Sequence, residues 1–209
     1  MTDASVWPTT FDALRTLSTM AGVCVAFWGV NKWRREQIGK RQSELAEEAL
    51  AVAYEAQDVF DHVRNPISFG GEGSSRPKDD NESEAENQRR DIRFVPFERL
   101  DHHKDYFLRV QRLRPKFMAM FGKSAASPLA AVLEIRADII MAVNLLADIE
   151  EDLSGGAPED WEELREQRRQ NQTIKWKRRE NDPIDARIAK LSSELEARLE
   201  PILKSRYRS

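Results

Sequence analysis

From Thr16 to Val30 the chain has fifteen consecutive uncharged residues, between Trp7 and Trp33. Beyond that run the pattern changes. Ile38, Leu45, Ala49, Val52, Ala56, Val59, Phe60 and Val63 recur at threes, fours and sevens, which marks one apolar face on a charged helix. The two patterns join without a break. They predict a single helix running to about Arg64, where Asn65-Pro66 stops it, with Gly39 as its weak point.

Residues 65–87 break the periodicity. They open Asn-Pro-Ile-Ser-Phe-Gly-Gly-Glu-Gly-Ser-Ser-Arg-Pro and turn acidic at Asp79, Asp80, Glu82, Glu84 and Glu86, which predicts a long flexible loop. A second helical segment follows, with Phe94, Phe97, Leu100, Phe107, Leu108, Leu113, Phe117, Met120 and Phe121 as its apolar side. Pro96 is expected in its first turn, Pro115 should kink or divide it, and Gly122 should stop it. Ser127-Pro128 opens the next helix as cap and first residue. Leu129, Val132, Leu133, Ile135, Ile139, Ile140, Val143, Leu145, Leu146 and Ile149 make that helix the expected centre of the core, ended by Ser154-Gly155-Gly156 and Pro158. A polar, basic helix is expected from about Glu159 to Glu180. Asp182-Pro183 then caps a last amphipathic helix along Ile184, Ile188, Leu191, Leu195, Leu199, Ile202 and Leu203. No strand pattern and no repeat occur. The expected fold class is all-α, with an N-terminal transmembrane helix continuing into an antiparallel helical bundle. The divisions are an anchor with its flanks at 1–35, a helical stalk at 36–64, a Gly-rich and acidic loop at 65–87, and a bundle at 88–209 that the stalk completes.

The uncharged run predicts a membrane anchor. As a helix it measures about 22 Å, short of the roughly 30 Å hydrocarbon core, so it must borrow from Phe11, Ala13 and Leu14 upstream. Asp12 and Arg15 interrupt that extension. They lie three apart and share a face, and Arg15 is near enough to the interface to snorkel. Trp7, Trp28 and Trp33, with Lys32, Arg34 and Arg35, are the expected interfacial anchors. Basic residues crowd the C-terminal side, which would leave the N-terminus outside and the bulk of the chain in the cytoplasm. Ser18, Gly22 and Ala26 recur every fourth residue, a face along which two membrane helices approach closely. Two rivals compete with the anchor. A cleaved signal peptide lacks its basic start and small-residue cleavage site here, and a buried core helix of a soluble bundle fits the short length.

Composition narrows the function classes. The chain has 209 residues, enough for one substantial domain beside an anchor. A net charge of −3 makes nucleic acid an unlikely partner. The single cysteine, Cys24, lies in the uncharged run, so no intramolecular disulfide and no cysteine zinc cluster can form.

Candidate chemistry is sparse, and neither a catalytic residue, a cofactor nor a metal is expected. Phe69-Gly70-Gly71-Glu72-Gly73-Ser74-Ser75-Arg76 invites a phosphate-binding reading through Arg76, but it follows a helix, lacks the Walker lysine and carries Glu72. Asp58 and His62 are four apart, as are Glu98 and His102, which suggests a metal site only if those helices pack together; the third histidine is His103. No nucleophile elbow occurs. Arg165 to Glu180 is the best partner signal outside the run. Lys175, Trp176, Lys177, Arg178 and Arg179 could lie on an anionic surface, while the plainer reading pairs the arginines with Asp148, Glu150, Glu151 and Asp152.

The stretch through Trp33-Arg34-Arg35 to Asn65-Pro66 and Phe69-Gly70-Gly71-Glu72-Gly73-Ser74, with the Phe117 to Gly122 segment, resembles a group of uncharacterised bacterial proteins. These have one N-terminal membrane helix and a helical cytoplasmic region. The resemblance implies a bacterial inner-membrane setting and no activity. The expected function is therefore a membrane-tethered interaction or scaffold protein, touching lipid and either a protein partner or a second copy of itself. The alternatives are an enzyme with its site in the bundle and a soluble bundle docking on anionic membranes through the basic helix.

Overall fold

The computed structural model describes the backbone of residues 6–154 and 161–206, with side chains over 15–150 and 161–204. Among the described residues the protein is all-helical, with no strand. Its six α-helices are α1 (Val6–Val63), α2 (Glu84–His102), α3 (Lys104–Phe121), α4 (Ser127–Ser154), α5 (Trp161–Lys175) and α6 (Pro183–Arg206), and a 3-10 turn (Ser124–Ala126) precedes α4. The chain divides into two units, residues 1–44 and 45–209. The division falls inside α1, so only the later part of the expected stalk belongs with the bundle.

The first unit consists of the N-terminal part of α1. No helix among the described residues is long and apolar enough to cross a membrane, so the expected transmembrane helix is not met there. Thr16, Ser18, Thr19 and Gly22 dilute the run, and Arg15 and Lys32 bound it with charge. Phe11, Ala13 and Leu14, which were to lengthen it, lie outside the described side chains, as do Trp7 and Asp12.

In the second unit the core joins α1, α3, α4 and α6. Val52, Ala56 and Phe60 of α1 meet Phe107, Val110 and Phe117 of α3, Leu129, Ile135 and Ile139 of α4, and Ile188, Leu195 and Leu199 of α6. Alanines at 46, 49, 53 and 56 present a small-residue face on α1, and the buried Tyr106 hydroxyl donates to the Val52 carbonyl at 2.9 Å. α4 packs against α2, α3, α5 and α6, which bears out its central place.

Several boundaries differ from expectation. α2 begins at Glu84, with the Ser83 hydroxyl capping the Glu86 amide, so Pro96 sits deep in the helix. Pro115 leaves α3 undivided, and the break falls at His103 instead. An interior proline costs about 3 kcal/mol. Burying a large apolar side chain returns about 1.5–3 kcal/mol, and Leu113 and Phe117 flank Pro115 as Val95 and Leu100 flank Pro96. α5 stops at Lys175, five residues before Glu180. Its last carbonyls need partners, and the Arg64 guanidinium supplies them at Thr173 (2.8 Å) and Ile174 (2.8 Å), then reaches Trp176 just beyond (3.2 Å). The expected start of this helix near Glu159 and the stop at Gly155, Gly156 and Pro158 lie outside the described residues. Asp182 caps α6 as expected, accepting from the Ile184 amide at 2.9 Å.

The loop after α1 is not a flexible linker. Buried Arg99 binds the carbonyls of Asn65 (2.7 Å) and Ile67 (2.8 Å) and pairs with Glu72 (2.7 Å). Arg76 pairs with Glu82 and Asp91, and its hydrogen bond holds the Glu82 carboxyl down to about 2. Gly73 is obligatory: its φ is +83° and a Cβ there would stand 1.9 Å from the Asp91 carbonyl oxygen.

Candidate functional site

Every residue from 15 to 30 is exposed. Leu17, Met20, Val23 and Val30 are more than half exposed, and Val25, Phe27 and Trp28 each reach 69%. Trp33, Arg34 and Arg35 are exposed too, and Lys32 lies 5.9 Å from the Trp28 ring centroid. On the small-residue face, the Ser18 hydroxyl turns back to the Arg15 carbonyl at 2.9 Å, a Cβ at Gly22 would meet nothing within 4 Å, and Ala26 is exposed. That face is open to close approach.

The five residues nominated for an anionic surface do not form one patch. Lys175 is buried, and Trp176 is half-buried. Lys177 is ion-paired with Asp61 and with Asp185 (3.3 Å). Burial opposes the Lys177 charge, but those two carboxylates outweigh it and hold the ammonium above its ordinary value. Arg178 and Arg179 alone are exposed. The Arg178 amide donates to Asp182, which is part of the buried junction where Arg64 and Asp182 make two 2.8 Å hydrogen bonds. Burial pushes the Asp182 carboxyl up, yet Arg64 and the Arg178 amide bring it net below the usual range.

The histidines do meet. His62 Nδ1 and His103 Nε2 are 2.8 Å apart, and the His62 and His102 rings are 5.7 Å apart. Burial, then the neighbouring cations, hold His62 and His103 below the ordinary histidine value. Glu98 is not with them: its carboxylate takes the Gly73 amide at 2.6 Å and the Ser75 hydroxyl at 3.0 Å. Among the described residues no group of three or more such side chains is arranged to hold a metal. The Gly-rich loop offers no anion site either, since Arg76 and Arg99 are already committed to carboxylates.

A different cationic site emerges between α2, α4 and α5. These helices enclose a groove of about 680 Å³. Arg89, Arg90 and Arg93 enter from α2, and Arg168 and Lys175 from α5; Glu86 and Glu150 are its carboxylates, so cations exceed anions by three. Arg90 is engaged by Glu82 (2.9 Å) and Glu86 (2.6 Å), and Arg93 by Glu150 (2.6 Å). The expected pairing of the basic stretch with the acidic run is not met at Asp148 or Glu150 among the described residues: Glu150 goes to Arg93 of α2, and Glu151 and Asp152 lie outside the described side chains.

Arg89, Arg168 and Lys175 keep no carboxylate partner among the described residues. Arg89 bonds only its own helix, at the Ala85 carbonyl (3.3 Å). The Arg168 Nε is buried with no hydrogen-bond partner. Lys175 is 7% exposed, with its ammonium 4.7 Å from the Trp176 ring centroid. Burial pushes its ammonium down to about 8, against the pull of Glu150 and with the push of Arg93. Sequence reasoning nominated Lys175 and Trp176 as part of one surface patch and did not single out Arg89, Arg90 and Arg93. The only signal was the four-residue spacing of Arg89 and Arg93, which puts them on one face. In comparisons with known proteins, the chain matches no family model, no curated protein and no solved structure.

Proposed function

We propose that the protein is a membrane-tethered helical interaction module, with the uncharged run of α1 seated in lipid and the helices of residues 45–209 displayed on the cytoplasmic side. The observation that carries this reading is the exposure of the run on all faces. Large apolar side chains exposed together along an uncharged helix mark a surface that a membrane or a partner covers. Transferring Leu17, Met20, Val23, Val25, Phe27 and Val30 from water into an apolar phase is worth roughly 10 kcal/mol. The run is shorter than a standard bilayer core. Local thinning and association of the inserted helices are the usual responses to that mismatch, and the open face at Ser18, Gly22 and Ala26 suits the second. Tethering acts by raising the local concentration of the bundle at the membrane. A partner surface is offered by Ile67 and Phe69, which are exposed on a loop that Arg99 and Glu72 hold in place.

Fractionation of cells expressing the full chain tests the tether. The protein should stay in the membrane pellet through high salt and alkaline carbonate and leave it only in detergent. Release by carbonate would defeat the seated helix. Replacing Gly22 with isoleucine should then reduce cross-linked dimer in the membrane fraction, and unchanged dimer would remove the packing face.

A further inference from the structure

We propose that the groove between α2, α4 and α5 binds a small multivalent phosphate-bearing ligand, with Arg89, Arg168 and Lys175 on its phosphates and its uncharged part against Trp176. This inference is independent of the membrane tether.

A buried cation normally pairs with a carboxylate or gives up its charge. Lys175 makes no ion pair among the described residues and feels Glu150, which Arg93 holds, only at longer range; arginine cannot lose its charge. The fold has carboxylates to spare and spends them elsewhere: Glu86 and Glu150 go to the two arginines beside these three cations. What remains, among the described residues, is a cluster of three cations with no ion-paired carboxylate, in a chain whose net charge is −3. A monovalent anion would leave two of them uncompensated, so the chemistry calls for a di- or triphosphate. Guanidinium groups bind phosphate oxygens in pairs, and the buried Arg168 Nε is a donor still waiting for an acceptor. The lining is not wholly ionic. Ile92, Leu146 and Trp176 supply an apolar and aromatic wall, which suits a ligand with a planar or apolar body. The volume of about 680 Å³ is that of a small-molecule site. A free phosphate compound and the headgroup of an anionic lipid share this chemistry.

The test measures amide hydrogen exchange across α2 and α5 on the full chain, with two sources of phosphate. The soluble source is inorganic pyrophosphate, with its affinity measured in parallel by calorimetry. The lipid source is vesicles of phosphatidylcholine with or without cardiolipin, whose headgroup carries two phosphates. Protection around Arg89 and Lys175 by pyrophosphate is the expected result, weakened about tenfold or more in each of R168Q and K175M. R89Q, at an exposed position, should weaken it as well and covers the case in which a buried variant misfolds. Protection that depends on cardiolipin, and is lost in the same variants, would also support the site and assign its phosphates to lipid. Protection from neither source overturns the proposal. So does an equal loss in R179Q, which removes a charge outside the groove.

Discussion

Two buried cations in residues 45–209 meet opposite fates. Arg64 is 0% exposed, and its donors go to both Asp182 oxygens and three backbone carbonyls. Lys175 is nearly as buried and stands in sequence between Ile174 and Trp176, whose carbonyls Arg64 takes, yet it has an aromatic face beside it and no ion-paired carboxylate among the described residues. A buried charge that is fully hydrogen-bonded fixes geometry, and Arg64 accordingly joins the end of α1, the end of α5 and the cap of α6. A buried charge left open stores an unfavourable energy that an arriving anion relieves. Burial alone therefore does not separate a structural cation from a ligand-binding one; the count of its acceptors does.

The comparison breaks most sharply at Arg64. R64A should destabilise residues 45–209 by about 3–5 kcal/mol in urea unfolding, because Asp182 would be left buried and unpaired. The double variant R64M/D182L should recover much of that loss, and equal losses in single and double variants would show that the pair matters only through its backbone contacts. G73A extends the contrast to the pinned loop. With a Cβ forced against the Asp91 carbonyl at a positive φ, it should cost about 2–3 kcal/mol, and a wild-type melting temperature would mean the loop is free to move aside.

Lys175 should behave in the opposite sense. K175M is expected to raise stability at pH 7 by about 1–2 kcal/mol, since it removes an uncompensated buried charge and keeps the packing. The gain has a definite pH dependence. The folded-state value is about 8 and the ordinary one 10.5, so between them the unfolded chain holds more protons and wild-type stability rises with pH. The advantage of K175M should therefore be full below about pH 8 and fade as pH climbs toward 10.5. Glu86, Arg89, Arg90 and Arg93 on α2, Glu150 on α4 and Arg168 on α5 are the other charged groups that face the same groove. A K175M advantage that is flat from about pH 8 to 10.5 would refute the link to the ammonium. The smallest effect is expected at the exposed pair: R178Q and R179Q should each stay within about 0.5 kcal/mol of wild type.

The helices themselves were largely legible. Periodicity found α4 as the centre of the core, and Asp182-Pro183 opens α6 as its residue types demand. Proline was misread twice. Pro96 and Pro115 carry a local penalty that the burial of their neighbours outweighs, and burial is not a local property. The loop after α1 was misread for a similar reason. Its glycines and acidic residues suggest flexibility, but Arg76 and Arg99, one inside the loop and one on α2, hold it by ion pairs and carbonyl contacts. The end of α5 was missed because Arg64, more than a hundred residues earlier in the chain, takes its carbonyls.

By itself the sequence determined the helical class, the N-terminus of α6 that Asp182 marks, and the uncharged run beside a basic flank. These follow from spacing and residue type over a few turns, where the physics is local. Ser127, expected as a cap, instead lies in helical backbone with its hydroxyl donating to the Ser124 carbonyl. Only the tertiary structure decided which cations are satisfied. Arg64 with Asp182, Arg99 with Glu72, and the open cluster of Arg89, Arg168 and Lys175 all join residues far apart in the chain. A charge's environment is set by what packs around it, and one and the same basic stretch supplied a buried open lysine, an ion-paired lysine and two exposed arginines.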